Sequence, residues 1–200
     1  MFGGGVRVSP GPVILTGPSG VGKGTVVSAL AALHPEVWVS VSATTRPPRP
    51  GERPGRSYHF CSEAEFDRLI AQDQLLEWAT VHGQARYGTP AQPVQQALAE
   101  GRVVLLELDL AGARSAKARL PQAQSIFLAP PSWEELVRRL SGRGTESPDQ
   151  QARRLETARA ELARADQFDV VLVNQEVDET VAALVKCLGL TCGPTGQDQK

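Results

Sequence analysis

The chain has 200 residues, 41% of them hydrophobic, and its 21 basic and 22 acidic side chains leave a formal net charge of −1. This length suffices for one domain with a buried core and small insertions. The balanced charge excludes a general electrostatic attraction to nucleic acid or to a membrane surface, and because no apolar run reaches about 18 residues we expect no membrane-spanning helix.

The two ends and the cysteines bear on the cellular compartment. Residues 1–11 lack the apolar centre of a secretory signal, so we expect a flexible leader there and a flexible tail at 190–200. The three cysteines, Cys61, Cys187 and Cys192, do not have the spacing of metal ligands. Their odd number and placement favour reduced thiols and a cytoplasmic protein.

Residues 13–25 read VILTGPSGVGKGT and contain the most specific motif of the chain. The apolar run at 13–16 predicts a buried strand, residues 17–23 fit the phosphate-loop pattern G-x-x-x-x-G-K, and a helix should follow at 23–33. The glycines let backbone N–H groups converge on one anion, and Lys23 adds a full positive charge to the partial charge of the helix N-terminus. The residues expected to bind nucleotide phosphates are Gly17, Pro18, Ser19, Gly20, Val21, Gly22, Lys23, Gly24 and Thr25.

Position 24 departs from the usual form of this motif. A Ser or Thr commonly follows the lysine and holds Mg²⁺ through its hydroxyl group, whereas this chain has Gly24. Thr25 or ordered water molecules could hold the metal instead, so the metal ligands stay open at this point.

A second candidate anion site lies in the loop expected at 43–58, after a strand predicted at 37–42. This segment has almost no apolar side chain to bury, and a loop of such length is commonly functional. Its prolines restrict Arg46 and Arg49, whose guanidinium groups, with Tyr58 nearby, can hold a phosphate monoester. The alternative interpretation is a solvated basic loop.

Residues 43–93 are predicted to form a small mixed α/β insertion. Ser62 and Glu65 form the pattern of a capping box, which opens a helix, and Thr89 followed by proline is typical of another helix start. The elements expected here are a strand at 58–60, a helix at 62–72, a strand at 75–81, a return strand ending at Tyr87, and a helix from Thr89 to about Ala99.

After the insertion, strands and helices alternate again. The run at 103–108 predicts a buried strand that contains Glu107 and ends at Asp109, at the ligand-binding edge of an open α/β sheet. Ser132 and Glu135 form a second capping box. The further elements are a helix at 113–120, a strand at 125–128, helices at 132–140 and 149–166, a strand at 170–173 and a helix at 178–188. This alternation predicts an α/β fold with a five-stranded parallel sheet flanked by helices.

Several arginines surround a glycine-containing hinge at 142–145. In a chain that also has a phosphate loop, this cluster predicts a helical lid at 137–160 that closes over the phosphates. There the positive charge would stabilise a transferring phosphoryl group, and closure would exclude water. The alternative is an exposed helix face.

Residues 40–52 read SVSATTRPPRPGE and, together with Tyr58, closely resemble the GMP-binding segment of guanylate kinases. Further segments continue the resemblance in the family's order: LEWA at 76–79, YGT at 87–89, ELD at 107–109, SIFL at 125–128, GRGTE at 142–146, RRL at 153–155 and FDVVLVN at 168–174. The resemblance covers residues 12–188.

This resemblance implies a P-loop kinase core and the Mg²⁺-dependent reaction ATP + GMP ⇌ ADP + GDP. Glu77 would accept hydrogen bonds from N1–H and the exocyclic amine of guanine, a donor pair that adenine lacks. Asp109 would help to position the guanine or the metal shell. The implied GMP site comprises Ser42, Glu77, Thr89 and Asp109 at the base and Arg46, Arg49, Tyr58 and Tyr87 at the phosphate.

The resemblance also implies which residues are catalytic. Asn174 would lie near the adenine of ATP. Two further departures are that Glu107 stands where the family usually has Asp, and that one residue is inserted between Gly83 and Tyr87. The residues implied to surround the γ-phosphoryl group are Lys23, Arg139, Arg143 and Arg154.

The implied organisation is a core interrupted by an insertion and a lid, with ATP and GMP as partners and no nucleic acid or membrane. Both a monomer and a dimer are compatible with the sequence. The parts are the leader 1–11, core 12–42, GMP-binding insertion 43–93, core 94–136, lid 137–160, core 161–189 and tail 190–200.

Two kinds of alternative remain open. One is another small phosphotransferase, such as an adenylate kinase, which shares the G-K-G-T ending, or a ribose-bisphosphate kinase; the segment 42–58 and Glu77 argue against both. The other is a guanylate-kinase-like interaction module without turnover. Such modules tend to lose the phosphate-loop lysine, so Lys23 favours the enzyme.

Overall fold

The computed structural model of the chain describes residues 11–81, 85–141 and 148–190. In chain order the elements are β1 (Val13–Thr16), α1 (Lys23–Leu33), β2 (Val37–Val39), β3 (Ala43–Thr44), β4 (His59–Phe60), α2 (Glu63–Ala71), β5 (Leu75–Val81), β6 (Ala85–Pro90), α3 (Ala91–Ala99), β7 (Val103–Glu107), α4 (Leu110–Arg119), β8 (Gln124–Ala129), α5 (Trp133–Ser141), α6 (Pro148–Leu162), β9 (Val170–Val173) and α7 (Val177–Cys187).

A five-stranded sheet forms the centre of the fold, with the strand order β2-β7-β1-β8-β9. Every neighbouring pair is parallel, which confirms the predicted sheet. Leu15 of β1 pairs with Glu107 of β7, and the N–H of Leu108 donates to the carbonyl of Leu15 at 3.0 Å. The phosphate loop after β1 and the carboxylates at the end of β7 therefore lie side by side.

The two faces of this sheet are covered by different helices. Side chains alternate along a strand, so Ile14 and Leu15 enter different apolar clusters. Leu15 packs with residues of α1, α5 and α7, including Leu30 and Leu184. Ile14 packs with residues of α3 and α4, including Val94. Full burial of a leucine or isoleucine side chain contributes about 1.5–3 kcal/mol, so both layers hold in place the sheet and the edge from which the phosphate loop emerges.

A second sheet, in the order β4-β3-β6-β5, is covered by α2. It contains β3 at Ala43–Thr44, within the segment 43–58 that we expected to be a loop. Two residues carry no strand pattern of their own, and β3 forms because it pairs with β4 on one side and β6 on the other. The strand predicted at 37–42 ends earlier, at Val39.

The helix N-termini test the capping patterns predicted from the sequence. The predicted capping box at α2 is confirmed: Ser62 accepts from the N–H of Glu65 at 3.2 Å and donates its own N–H to that carboxylate at 2.7 Å. At α3 the prediction was wrong, because Thr89 is buried in β6 and Pro90 takes the N-cap position. Ser132 accepts from the N–H of Glu135 at 3.1 Å.

Helix α4 begins at Leu110 and not at 113 as predicted, because Asp109 caps it. Helix α6 starts at Pro148 and ends at Leu162, four residues before the predicted end at 166.

None of the helices within the described ranges is long and apolar enough to cross a membrane. The hinge at 142–145, Arg143, the insertion before Tyr87 at 82–84, Cys192, most of the leader and the tail from 191 lie outside the described residues.

Asp169 ties the start of β8 to the segment before β9. Its carboxylate accepts from the N–H and the hydroxyl of Ser125 at 2.7 and 2.8 Å, and from Lys117 at 2.9 Å. These hydrogen bonds lower the pKa of Asp169 to about 2, the Ser125 N–H having the largest effect. The carboxylate thus connects neighbouring strands through hydrogen bonds.

Asp169→Asn is expected to lower the free energy of unfolding by about 1 kcal/mol at neutral pH, a modest figure because solvent screens this half-exposed group. The pKa in the folded state lies below its ordinary value of 3.8, so the stabilisation is present above that value and is lost as the pH falls towards 2. Urea unfolding at pH 7 and near pH 2 should show the difference shrinking. Asp166→Asn, at an exposed carboxylate nearby, is the control; equal effects of the two variants would contradict the assignment.

Candidate active site

The phosphate loop connects β1 to α1, and its glycines are required by close contacts. At Gly17 a Cβ atom would lie 2.3 Å from the carbonyl oxygen of Leu128. Gly22 has φ of +99°, and a Cβ atom there would lie 2.6 Å from Nδ2 of Asn174. The loop therefore has the tight path that lets successive N–H groups face one anion.

Lys23 lies folded back over this loop. Its ammonium group donates to the carbonyl oxygens of Gly17 at 2.6 Å and Pro18 at 3.2 Å. Burial lowers the pKa of Lys23, and three carboxylates act in the opposite direction, those of Glu107, Glu161 and Asp109. The cation is thus held beside the loop by groups that an incoming phosphate can replace.

Asn174 contacts the backbone of the phosphate loop through its side-chain amide. It is 3% exposed, its Nδ2 donates to the carbonyl of Val21 at 2.8 Å, and its Oδ1 accepts from the hydroxyl of Thr180 at 3.0 Å. Arg139 donates to the same Val21 carbonyl at 3.1 Å. The structure therefore places Asn174 against the backbone of the phosphate loop, and its implied position near the adenine of ATP stays a prediction.

Helix α6 brings two further side chains to the loop. Nη2 of Arg154 donates to the hydroxyl of Ser19 at 2.8 Å. Glu161 lies on the same helix, and burial raises its pKa, while Lys23 and the N–H of Ser19 act in the opposite direction. Its Oε2 atom is buried without a hydrogen-bond partner among the described residues.

A second cluster contains Arg46, Tyr58 and Tyr87. Both terminal nitrogens of Arg46 donate to the carboxylate of Glu52, at 2.8 and 3.0 Å, and its Nε donates to the hydroxyl of Tyr87 at 3.0 Å. Its guanidinium carbon lies 5.3 Å from the ring centre of Tyr58. The hydrogen bonds that Arg46 donates to Glu52 raise the pKa of Arg46. This cluster has the planar donor geometry that recognises a phosphate.

Arg49 belongs to the same loop but is exposed. Its backbone N–H donates to Glu52 at 2.7 Å, so Glu52 connects the two arginines in this structure. The sequence pattern does not predict this role of Glu52. Its position in the segment P-R-P-G-E, just after the second arginine, is the only signal that could have indicated it.

A buried carboxylate lies between the two sheets. Glu77 on β5 is 7% exposed, and its Oε1 accepts from the hydroxyl of Thr89 at 2.6 Å. Burial raises the pKa of Glu77 to about 7, Asp109 adds to the increase, and the hydrogen bonds from Thr89 oppose it. Asp109 accepts from the N–H of Gly112 at 2.7 Å.

Glu77, Thr89 and Asp109 therefore lie together, as the resemblance implied. Ser42 precedes Ala43, which pairs with Gly88 in the neighbouring strand, and the carbonyl of Ser42 accepts from the N–H of His59 at 2.8 Å. This pairing places Ser42 at the edge of the same group.

Glu107 lies at the end of β7, next to the phosphate loop. Burial raises the pKa of Glu107, and Lys23 opposes this effect. Its Oε1 lies 3.9 Å from the point that a Cβ atom at Gly24 would occupy. Gly24 and Thr25 are both exposed. The carboxylate thus borders the space where the usual hydroxyl side chain of the motif would lie.

Chemically, the described residues provide two separate places for phosphate groups and one buried acceptor for a base that carries adjacent N–H donors. The phosphate loop with Lys23 is the first, and the cluster of Arg46, Tyr58 and Tyr87 is the second. Such a pair of sites suits the transfer of a phosphoryl group between two nucleotides.

Comparisons with known proteins agree with this geometry. The sequence model of the guanylate kinase family matches residues 9–189. The chain is 60% identical to the guanylate kinase of Cutibacterium acnes, over 90% of this chain and 92% of that protein. It is also 60% identical to the guanylate kinase of Thermobifida fusca, over 92% of both chains.

A solved structure supports the same assignment. The crystal structure of guanylate kinase from Anaplasma phagocytophilum superposes with a TM-score of 0.74 at 32% sequence identity, over 90% of this chain and 86% of that one. Sequence and structure thus lead to one assignment: the chain belongs to the guanylate kinase family.

Proposed function

We propose that this protein is a guanylate kinase, which transfers the γ-phosphoryl group of ATP to GMP and releases ADP and GDP. Family membership supports the reaction. The observation that carries it to this chain is the buried Glu77, held by Thr89 and facing Asp109 between the two sheets. A carboxylate there discriminates in favour of a base with two adjacent N–H donors, because the wrong base would leave it unpaired.

On the donor side, the loop N–H groups and Lys23 bind the phosphates of ATP. Binding draws the ammonium group of Lys23 away from the carbonyls of Gly17 and Pro18 and towards the terminal phosphates. Arg139 and Arg154, which already contact the loop, stabilise the charge on the transferring group together with Arg143. Asn174 maintains the conformation of the phosphate loop through its hydrogen bond to the Val21 carbonyl.

On the acceptor side, Arg46, Arg49, Tyr58 and Tyr87 bind the phosphate of GMP. The phosphate then takes the place of Glu52 at the guanidinium group of Arg46. The remaining base contacts that we propose are those of Ser42, Thr89 and Asp109. Separate rigid supports on the two sheets hold the acceptor oxygen and the γ-phosphoryl group in line, which removes much of the entropic cost of transfer.

We propose Mg²⁺ as the cofactor, and the residues present fit it. Mg²⁺ keeps several water ligands and takes one or two carboxylates besides substrate phosphates, and Glu107 offers such a carboxylate beside Gly24. Within the described ranges there is no group of three or more acidic, His or Cys side chains arranged for a metal. When bound there, Mg²⁺ would neutralise part of the negative charge of the phosphates.

We further propose three parts that move relative to one another on nucleotide binding: the core (12–42, 94–136 and 161–189), the GMP-binding insertion (43–93) and the lid (137–160). Closure excludes water from the transfer step. We also propose a cytoplasmic location, supported by the free thiols of Cys61 and Cys187, which suit a reducing compartment.

The test of this function is an ADP-release assay with ATP and Mg²⁺, in which GMP, AMP, CMP and UMP are offered in turn. We expect turnover with GMP and little with the other three, because only guanine presents the donor pair that Glu77 accepts. Turnover with AMP at a comparable rate would contradict the proposal. GMP binding without turnover would indicate an interaction module.

Lys23→Met is expected to lower kcat by roughly 10³-fold, because it removes the charge at the transferring group. Calorimetry with GMP alone should show nearly unchanged affinity, since the acceptor residues lie on other elements. Lys186→Met, at an exposed lysine on α7, is the matched control and should retain activity. A loss of GMP affinity as large as the loss of rate would contradict separate donor and acceptor sites.

Glu77→Gln is expected to lower kcat/KM for GMP by ~10²-fold or more, because one acceptor of the bidentate pair becomes a donor. In the wild type, kcat/KM should fall as the pH drops below about 7, where Glu77 becomes protonated; the variant should keep only the titration of the GMP phosphate.

The same substitution should raise Tm at pH 8. The pKa of Glu77 in the folded state, about 7, lies above its ordinary value of 4.5, so ionisation of this buried group destabilises the fold as the pH rises through that interval. Glu179→Gln, at an exposed carboxylate, is the control for both measurements. A lower Tm would mean that the activity loss reflects unfolding, and wild-type GMP kinetics would refute the assignment of Glu77.

A further inference from the structure

Gly112 is buried in the first turn of α4, directly beside the carboxylate of Glu77. A Cβ atom at this position would lie 2.6 Å from Oε2 of Glu77 and 3.2 Å from Oδ1 of Asp109. The first distance is well inside the roughly 3.3 Å at which even attractive C–H···O contacts are found. Any other residue would therefore have to displace the Glu77 carboxylate by about 0.7 Å.

The backbone does not explain why a glycine occupies this position. Gly112 has the helical conformation and is not among the glycines with positive φ. In a helix, glycine costs about 1 kcal/mol relative to alanine, so local preference favours alanine here. The feature of Gly112 that the structure uses is the space left by the missing side chain.

The Glu77 carboxylate cannot move without losing a contact. Its Oε1 is held at 2.6 Å by the hydroxyl of Thr89, which is itself fully buried. Glu77 and Thr89 also face each other in the ladder between β5 and β6. On the other side, the N–H of Gly112 is fixed by the cap to Asp109 at 2.7 Å. A side chain at position 112 would thus push Oε2 while Oε1 is anchored.

We propose that Gly112 is a positioning residue for base selection: its missing side chain sets where the Glu77 carboxylate stands, and thereby selects 6-oxopurine nucleotides that carry a 2-amino group. This inference rests on the proposed function and adds a determinant outside the loops and strands that contact the nucleotide. Gly112 touches the carboxylate and acts on the substrate only through it.

The cost of a side chain at Gly112 falls on selectivity more than on stability. The atom in conflict is the end of a flexible side chain, which yields more easily than backbone, and alanine improves the helix propensity at the same position. If the Glu77 carboxylate is displaced by a fraction of an ångström, however, both of its proposed hydrogen bonds to guanine lose their alignment. A misplacement of about 1 Å can cost 10²-fold in rate.

The test compares wild type with Gly112→Ala, using GMP and IMP as acceptors. IMP keeps the N1–H of GMP but lacks the 2-amino group, so it has less to lose when the bidentate contact is disturbed. We expect kcat/KM for GMP to fall by about tenfold or more and the GMP-to-IMP ratio to fall by at least about fivefold. KM for ATP and Tm should change little. Ala111→Gly, the reverse change at the exposed neighbouring position, controls for helix propensity and should keep the wild-type ratio.

A double-mutant cycle with Glu77→Asp separates positioning from a merely structural role. The shorter side chain withdraws the carboxylate from position 112, so Gly112→Ala should cost much less in the Glu77→Asp background than in wild type. Equal losses in the two backgrounds, or an unchanged GMP-to-IMP ratio in Gly112→Ala, would overturn the inference. Failure of the wild type itself to use GMP would instead refute the proposed function, so the two failures are distinguishable.

Discussion

The parallel pairing of β1 with β7 is the constraint on which the rest of the site depends. It places Leu15 beside Glu107, so the phosphate loop and the end of β7 emerge at the same edge of the sheet. Asp109, two residues beyond Glu107, caps α4, and Gly112 in the first turn of α4 lies against the carboxylate of Glu77. One strand end thus borders both the proposed site for the donor phosphates and the proposed site for the acceptor base, and a shift of β7 along β1 would disturb both together.

Charged groups of the two proposed phosphate sites already have hydrogen-bond partners within the protein. Lys23 donates to loop carbonyls, Arg46 to Glu52, and Arg154 to Ser19. These contacts hold long side chains near the positions where they are needed, which lowers the entropic cost of binding a phosphate. They also mean that a nucleotide must replace existing hydrogen bonds. The binding free energy of a phosphate is therefore the difference between its hydrogen bonds and the internal ones that it replaces. Substituting Glu52 would free Arg46 to move and would also remove the carboxylate that competes with the phosphate for it.

The sequence predicted features that depend on local pattern. The phosphate loop, the parallel sheet and the α2 capping box follow from residue types at fixed spacing, and each was found. What it missed depends on contacts between distant segments. β3 exists only through its neighbours, and Thr89 is drawn into β6 by pairing and by Glu77. The relation of Gly112 to Glu77 spans 35 positions, beyond the reach of any pattern in a single sequence.

In the proposed base pocket, two neighbouring residues, Glu77 and Gly112, are both unfavourable for stability. Glu77 is a carboxylate buried where burial raises its pKa to about 7, so its ionised form opposes folding. Gly112 occupies a helix where alanine would be preferred. The two residues meet where Oε2 of Glu77 lies beside the position that a Cβ atom of residue 112 would occupy. Stability alone would favour a neutral side chain at 77 and a methyl group at 112. That neither is present fits the proposal that this pocket is shaped for its ligand, because the N–H donors of a guanine base would stabilise the ionised form of Glu77.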